Sequence, residues 1–438
     1  MTIVQYKFSS DKRSSVSKLK QMLDQSGAVW QKFGQMLSTQ EELLGAELAA
    51  ELQKMLYACP VHDIEYSKQT IVRMFGEDKY DLDRMELIGS GTIGQTYRVP
   101  RSVPRSDPIE DPNEIGSEVG SEVCIKVRHP NVVREVTEAA SAYDRIKNSF
   151  FMPVALKMVC DLFFEGLVLQ LDFHKEFVNG KLFREVNFPE TPEIPEPGLT
   201  TDPPRPPNRV FVIPRMLETS DECLVIEYEP SKPICIEGRI DIDRKQLLRV
   251  CALMGCFTHT MCINGVLHAD IHFGNYGIRD DQIVIYDFGF VSDVRERLDH
   301  QQISRACMRY DTNRLLPSFG LKDSDNVKLR KILGEIRVGD PNKYFKDIQT
   351  IATFVAINGI RLDQHRMAML NVTKNQQSTG LLAAELEEDP ELRYYLDHIN
   401  EHGWASMIDT FFPYDDLMPL RDKCKEFESE DLDSEGVL

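Results

Sequence analysis

The segment from His268 to Asn275, "HADIHFGN", followed by "IYDFG" with Asp287, constrains this 438-residue chain more than any other stretch. A carboxylate and an amide share one loop, and a second carboxylate follows inside Asp-Phe-Gly. Magnesium prefers oxygen ligands, which Asn275 and Asp287 supply, leaving Asp270 to orient or deprotonate a nucleophile. A polar turn between strands explains either piece alone but not the two together. Phosphoryl transfer asks for placed charges of this type and for little covalent chemistry.

The same chemistry needs a lysine on the phosphates and a glycine-bearing turn upstream of it. "RMELIGSGTIGQTYRV" alternates like two strands around a turn, and "SEVCIKVRHP" reads as a third strand stopped by Pro130. In the turn, Gly89, Gly91 and Gly94, with Ser90 and Thr92 between them, would let backbone N–H groups approach a phosphate. Lys126 then stands alone in an apolar strand. A plain hairpin and a solvated edge lysine are the simple alternatives; the order turn, lysine, Asp270 loop, Asp287 favours phosphate binding.

Composition narrows the rest. The net charge of −19 argues against nucleic acid as a partner, because phosphate backbones want a basic surface. Ten cysteines without a Cys-x-x-Cys pair fit a reducing compartment, and Cys251, Cys256 and Cys262 read as buried small groups. No apolar run reaches the roughly 18 residues of a membrane span. "FFMPVALKMVCDLFFEGLVLQ" is broken by Lys157, Asp161 and Glu165, so it reads as a buried or partner-facing helix, with peripheral lipid contact as the lesser alternative. The expected location is cytoplasmic, with organelle or membrane association left open.

Along the chain, residues 1–60 read as helices, 61–230 as a strand-rich lobe, 231–425 as a helix-rich lobe and 426–438 as an unstructured acidic tail. Segments 100–122 and 189–208, rich in proline and poor in apolar groups, read as loop insertions.

The combination of Lys126, Asp270, Asn275 and Asp287 resembles the protein-kinase-like fold, an α+β bilobal architecture. That resemblance makes Lys126 the phosphate lysine, Asp270 the catalytic aspartate, and Asn275 and Asp287 the metal ligands. It also makes "CLVIEYE" the hinge strand, with Glu227, Tyr228 and Glu229 offering backbone groups to adenine. "WQKFGQMLSTQEELLGAELAAELQKM" narrows it, because it resembles the Lys-x-Gly-Gln signature of the UbiB family of atypical kinases, the aarF-domain, coenzyme-Q-associated group. "QLDFHKEFVNGKLFRE" resembles that family's Glu-x-Asp motif and places Glu176 as the partner of Lys126.

The family resemblance implies an N-terminal helical extension packed on the cleft, with Lys32 and Gln35 facing the pocket. It implies ATP and magnesium as cofactors, and hydrolysis or phosphorylation of a lipid or small molecule linked to isoprenoid-quinone metabolism. Two departures stand out. The glycine loop "GSGTIGQ" replaces the family's alanine-rich one, and Gln170 stands where the family has a carboxylate, leaving Asp172. No Ala-Pro-Glu follows the Asp-Phe-Gly segment, which lowers the expectation of a protein acceptor. The alternatives are a nucleotide-gated pseudokinase that holds a lipid or partner, and a small-molecule phosphotransferase.

Overall fold

The computed structural model describes residues 29–30, 32–34, 61–102, 122–147, 154–189, 209–236, 239–272, 274–296, 303, 305–306, 311–337, 341–358, 360, 362, 366, 368, 398, 402 and 405–435. The chain divides into two compact units. The first comprises Met1–Val178, Pro214–Glu229 and Ala356–Ile360; the second comprises Asn179–Ile213, Pro230–Val355 and Arg361–Leu438. Gln35, most of 1–60 and nearly all of both expected insertions lie outside the described residues.

The first unit is built on a five-stranded sheet of order β1-β2-β3-β6-β5, formed by Glu86–Ser90, Gly94–Pro100, Glu122–Arg128, Met216–Thr219 (β5) and Cys223–Glu227 (β6). Alternation explains the central strand. Val123, Ile125 and Val127 of β3 are fully buried on one face, together with Tyr97, Val99 and Val225, and Lys126 is thereby turned to the other. Helix α1, Ile64–Phe75, starts at Asp63, whose carboxylate accepts the Glu65 N–H at 3.1 Å, and it buries Ile71 in this core.

Two more helices, α2 (Val132–Ile146) and α3 (Val154–Gln170), belong to this unit. The apolar α3 segment has found a cover within the chain. Phe33 meets Phe163 at a centroid distance of 5.2 Å, and Trp30 meets Phe164 at 6.2 Å, both edge-on. Trp30 and Phe33, on the helical residues either side of Lys32, are therefore packed on α3 through aromatic rings.

Helix α4, Phe173–Asn187, contains the division between the units. Residues 179–213, expected in the first lobe, belong to the second unit. The reason is long-range: β4, Phe211–Val212, pairs in parallel with β12, Gln282–Ile285. Asp416 fixes that edge, its buried carboxylate accepting the N–H groups of Val210 and Phe211. With β7 (Lys232–Pro233) and β11 (Tyr276–Arg279) these strands form a sheet of order β4-β12-β11-β7.

The second unit centres on α5, Arg244–Asn264, capped by Asp243 at one end and by left-handed Gly265 at the other. Among the described residues it is one helix long and apolar enough to cross a membrane, but 67% of that window is buried within the protein. Phe257 of α5 packs against Phe183, Phe188 and Phe211. Cys251, Cys256 and Cys262 lie on this helix, and burial pushes the thiols of the first two up to about 12. The acidic tail departs from expectation: helix Met418–Glu435 runs through most of it.

Candidate functional site

In the first unit, Lys126 and Glu176 form a bidentate pair. Lys126 Nζ donates to both carboxylate oxygens of Glu176 at 2.9 Å. Glu176 is 4% exposed and the lysine side chain 20%, so each charge is stabilised chiefly by the other. The Phe173 ring lies 5.4 Å from Nζ. Three pieces of local structure place the pair: the pleat of β3, the start of α4 at Phe173, and Asp172. The Asp172 carboxylate accepts the Lys175 N–H at 3.0 Å and its carbonyl accepts the Glu176 N–H at 3.1 Å. Asp172 is thus an exposed helix cap. Among the described residues no ion pair or hydrogen bond joins Lys32 to Asp172 or Gln170.

The glycine turn splits into two kinds of glycine. At Gly94 a Cβ would come within 2.3 Å of the Val127 carbonyl oxygen, so this glycine serves the close approach of β2 to β3. At Gly89 a Cβ would meet nothing within 4 Å, and at Gly91 only the Gly94 carbonyl at 3.7 Å. There is room beside both residues for an approaching group, although the Gly91 N–H itself already donates to the Gly94 carbonyl at 2.9 Å. Thr92 is buried and Ser90 half-buried. On the opposite side of the turn, His129 Nε2 lies 2.8 Å from the Gly91 carbonyl.

The Glu227 N–H donates to the Arg215 carbonyl at 2.9 Å, and its carboxylate pairs with the Arg215 guanidinium at 3.1 Å. Its backbone donor is therefore in use, so an adenine contact at this residue would fall to its carbonyl. Arg98 lies 4.9 Å from the Tyr228 ring centroid.

The second unit brings Asp270, Asn275 and Asp287 onto one scaffold. Strands β10 (Val266–His268) and β13 (Val291–Asp293) pair antiparallel, with His268 opposite Val291. The His268 ring, fully buried between Phe183 and Phe288, approaches the Tyr286 carbonyl at 3.1 Å through Nε2. Its Nδ1 faces the Asp270 N–H at 3.4 Å. Nε2 therefore carries the proton, and burial lowers the pKa of this ring.

The Asn275 side-chain amide donates to the Asp270 carbonyl at 2.8 Å, which leaves Oδ1 as the group suited to a cation. Its carbonyl in turn accepts the Tyr286 N–H at 2.7 Å, tying the Asp270 loop to the strand that leads to Asp287. Asp287 adopts a left-handed φ of 58°. A non-glycine residue there stores strain of about 1–3 kcal/mol and persists only where its neighbours hold it. Two bonds do so: the Gly289 N–H donates to Asp287 Oδ1 at 3.2 Å, and Asn179 Nδ2 donates to the Phe288 carbonyl at 3.0 Å. An amide oxygen and a carboxylate, both fixed through the backbone, suit a hard divalent cation.

Neither Asn179, His62 nor His129 announces itself in the sequence. Asn179 could have been suspected only from its place one helical turn after Glu176.

Residues 117–318 match the ABC1 atypical kinase-like domain. A putative ABC transporter of Paramecium bursaria Chlorella virus 1 is 35% identical over 100 residues, 23% of this chain and 20% of the relative. The probable serine/threonine-protein kinase abkC of Dictyostelium discoideum is 22% identical over 265 residues, 58% of this chain and 33% of the relative. An uncharacterized Synechocystis protein, sll0005, is 23% identical over 296 residues, 65% of this chain and 38% of the relative. The chain thus spans well under half the length of these relatives. Among solved structures, the Rv3197–erythromycin complex from Mycobacterium tuberculosis overlaps 78% of this chain and 90% of its own at 17% identity, with a TM-score of 0.41. Residues 117–318, with their mixed α and β content, thus match an ABC1 atypical kinase-like domain, consistent with the UbiB/ABC1 group of atypical kinases.

Proposed function

We propose that the chain binds Mg-ATP and acts as an atypical kinase or ATPase on a lipid or other small molecule, linked to isoprenoid-quinone metabolism as in the family it resembles. The observation that carries this reading is the bidentate Lys126–Glu176 pair. A mostly buried lysine held by a buried carboxylate keeps its charge and its position, and a phosphate chain needs both. In this reading Lys126 holds the nucleotide phosphates, and the space beside Gly89 and Gly91 receives them.

Asn275 Oδ1 and the Asp287 carboxylate would hold magnesium, which when bound neutralises charge on the phosphates. Asp270, with its own N–H turned to His268, would orient the attacking hydroxyl or water and accept its proton. Backbone groups of Tyr228 and Glu229 would meet the base.

The test is ATP and ADP binding by thermal shift and calorimetry, with and without magnesium, on wild type and Asp287→Asn. A magnesium-dependent shift in wild type alone supports the assignment. Phosphate release would then be followed with lipids, quinone precursors and a generic protein as acceptors. No shift in either protein removes the nucleotide reading, and turnover only with the protein acceptor removes the small-molecule one.

A further inference from the structure

Behind the glycine turn lies a chain of polar groups that the proposed chemistry does not use. His129 Nε2 stands 2.8 Å from the Gly91 carbonyl, and its Nδ1 stands 2.6 Å from His62 Nδ1. His62 Nε2 is 2.6 Å from Ser67 Oγ, which lies 2.9 Å from the Tyr97 hydroxyl. The Gln95 amide donates to that hydroxyl at 2.6 Å, and its carbonyl accepts the His62 N–H. The His129 N–H also donates to the Ile93 carbonyl at 2.8 Å, so both ends of the turn are tied to one residue.

With both rings neutral, one proton arrangement satisfies the line. A carbonyl only accepts, so His129 Nε2 must carry hydrogen and its Nδ1 must accept. His62 Nδ1 then donates, its Nε2 accepts from Ser67, and Ser67 accepts from Tyr97. An added proton on His62 makes its Nε2 a donor to Ser67 and leaves one hydroxyl hydrogen, of Ser67 or of Tyr97, without an acceptor among these groups. A second proton sets two N–H groups against each other.

We infer that His129, oriented by His62, is a positioning residue for the glycine turn: with both rings neutral, one hydrogen between the two Nδ1 atoms locks His129 under the Gly91 carbonyl, and protonation of both rings sets the two Nδ1–H groups against each other, parts the rings and loosens the turn. Its consequence for ATP rests on the nucleotide reading above; the hold on the turn does not. Tyr66 meets His62 edge-on at 5.1 Å. The carboxylate of Asp63 favours charge on His62, and that of Glu135 favours it on His129. Burial outweighs both: it lowers the pKa of His129 and takes that of His62 down to about 4. Because the folded-state pKa is depressed, the stabilisation is complete above the unfolded value of about 6.5 and is lost as pH falls toward the folded one.

Hydrogen exchange over residues 89–95, corrected for intrinsic rate, and ATP affinity test this at neutral pH and at about pH 5.5. Three proteins suffice: wild type, His129→Gln and His129→Leu. Glutamine can donate to Gly91 and accept from His62 without titrating. His129→Gln should match wild type at neutral pH and lack its acid-induced loosening. His129→Leu should exchange faster at both, with ATP binding about three- to ten-fold weaker. Should His129→Leu fail to fold, the pH comparison between wild type and His129→Gln still decides. Equal acid loosening in wild type and His129→Gln overturns the inference, as does wild-type exchange in a folded His129→Leu. The expected exchange differences without ATP binding in wild type would uphold the hold on the turn and remove the nucleotide reading.

Discussion

Lys126 with Glu176 in the first unit, and Asp270, Asn275 and Asp287 in the second, are held in place by different means. In the first, two opposite charges supply each other's solvation. In the second, the backbone does the holding: strand pairing, the His268 ring and the Asn275 amide place the loop. Among the described residues no cationic side chain makes an ion pair with Asp270. The difference teaches that the first site should fail by unfolding when a partner is removed, whereas the second should lose its ligand and keep its fold.

Glu176→Ala probes this contrast hardest. It removes the bidentate carboxylate from a mostly buried ammonium, so chemical denaturation should show a loss of about 3 kcal/mol. A loss below about 1 kcal/mol would mean the pair is solvated like a surface bridge, and the contrast would break. Gly94→Ala comes next, at about 1–3 kcal/mol, because its Cβ meets the Val127 carbonyl. Gly89→Ala is the matched control: it should leave the melting temperature near wild type while weakening ATP. Asp172→Ala removes the cap on the helix that carries Glu176 and should cost about 1 kcal/mol, with ATP affinity following only as far as Glu176 shifts.

The smallest stability effect and the largest ligand effect belong to Asp287→Asn. Asparagine tolerates the left-handed conformation at least as well as aspartate. Apo stability should therefore change by less than about 0.5 kcal/mol, while the magnesium-dependent thermal shift disappears. A large apo loss would show that the Asp287 charge itself supports the fold, and the two sites would then be alike.

Much of this was legible in the sequence because the informative patterns are local. "GSGTIG" and "CIKV" announce a turn and a strand lysine within a few residues, and "HADIHFGN" with "DFG" carries its donors on adjacent turns. What stayed hidden depends on distant partners. Residues 179–213 join the second unit because Phe211 and Val212 pair with Ile283 and Val284. Glu227 has its backbone donor and its carboxylate both taken by Arg215, a partner twelve residues away. The tail reads as solvated by charge alone. It is helical because Leu420 and Cys424 are buried near the start of the helix, and its many glutamates are good helix formers.

The tight approach at Gly94 bears on how this chain can vary. Strands β2 and β3 are locked in one register, Gly94 opposite Arg128 and Thr96 opposite Lys126. Gly89, facing open space, can be exchanged one residue at a time. An insertion or deletion that slid β3 by a single place would instead turn Lys126 into the apolar face and bring an isoleucine or a valine out in its stead. The turn is therefore free to explore chemistry but not length, and homologous change there should appear as substitution rather than as gaps.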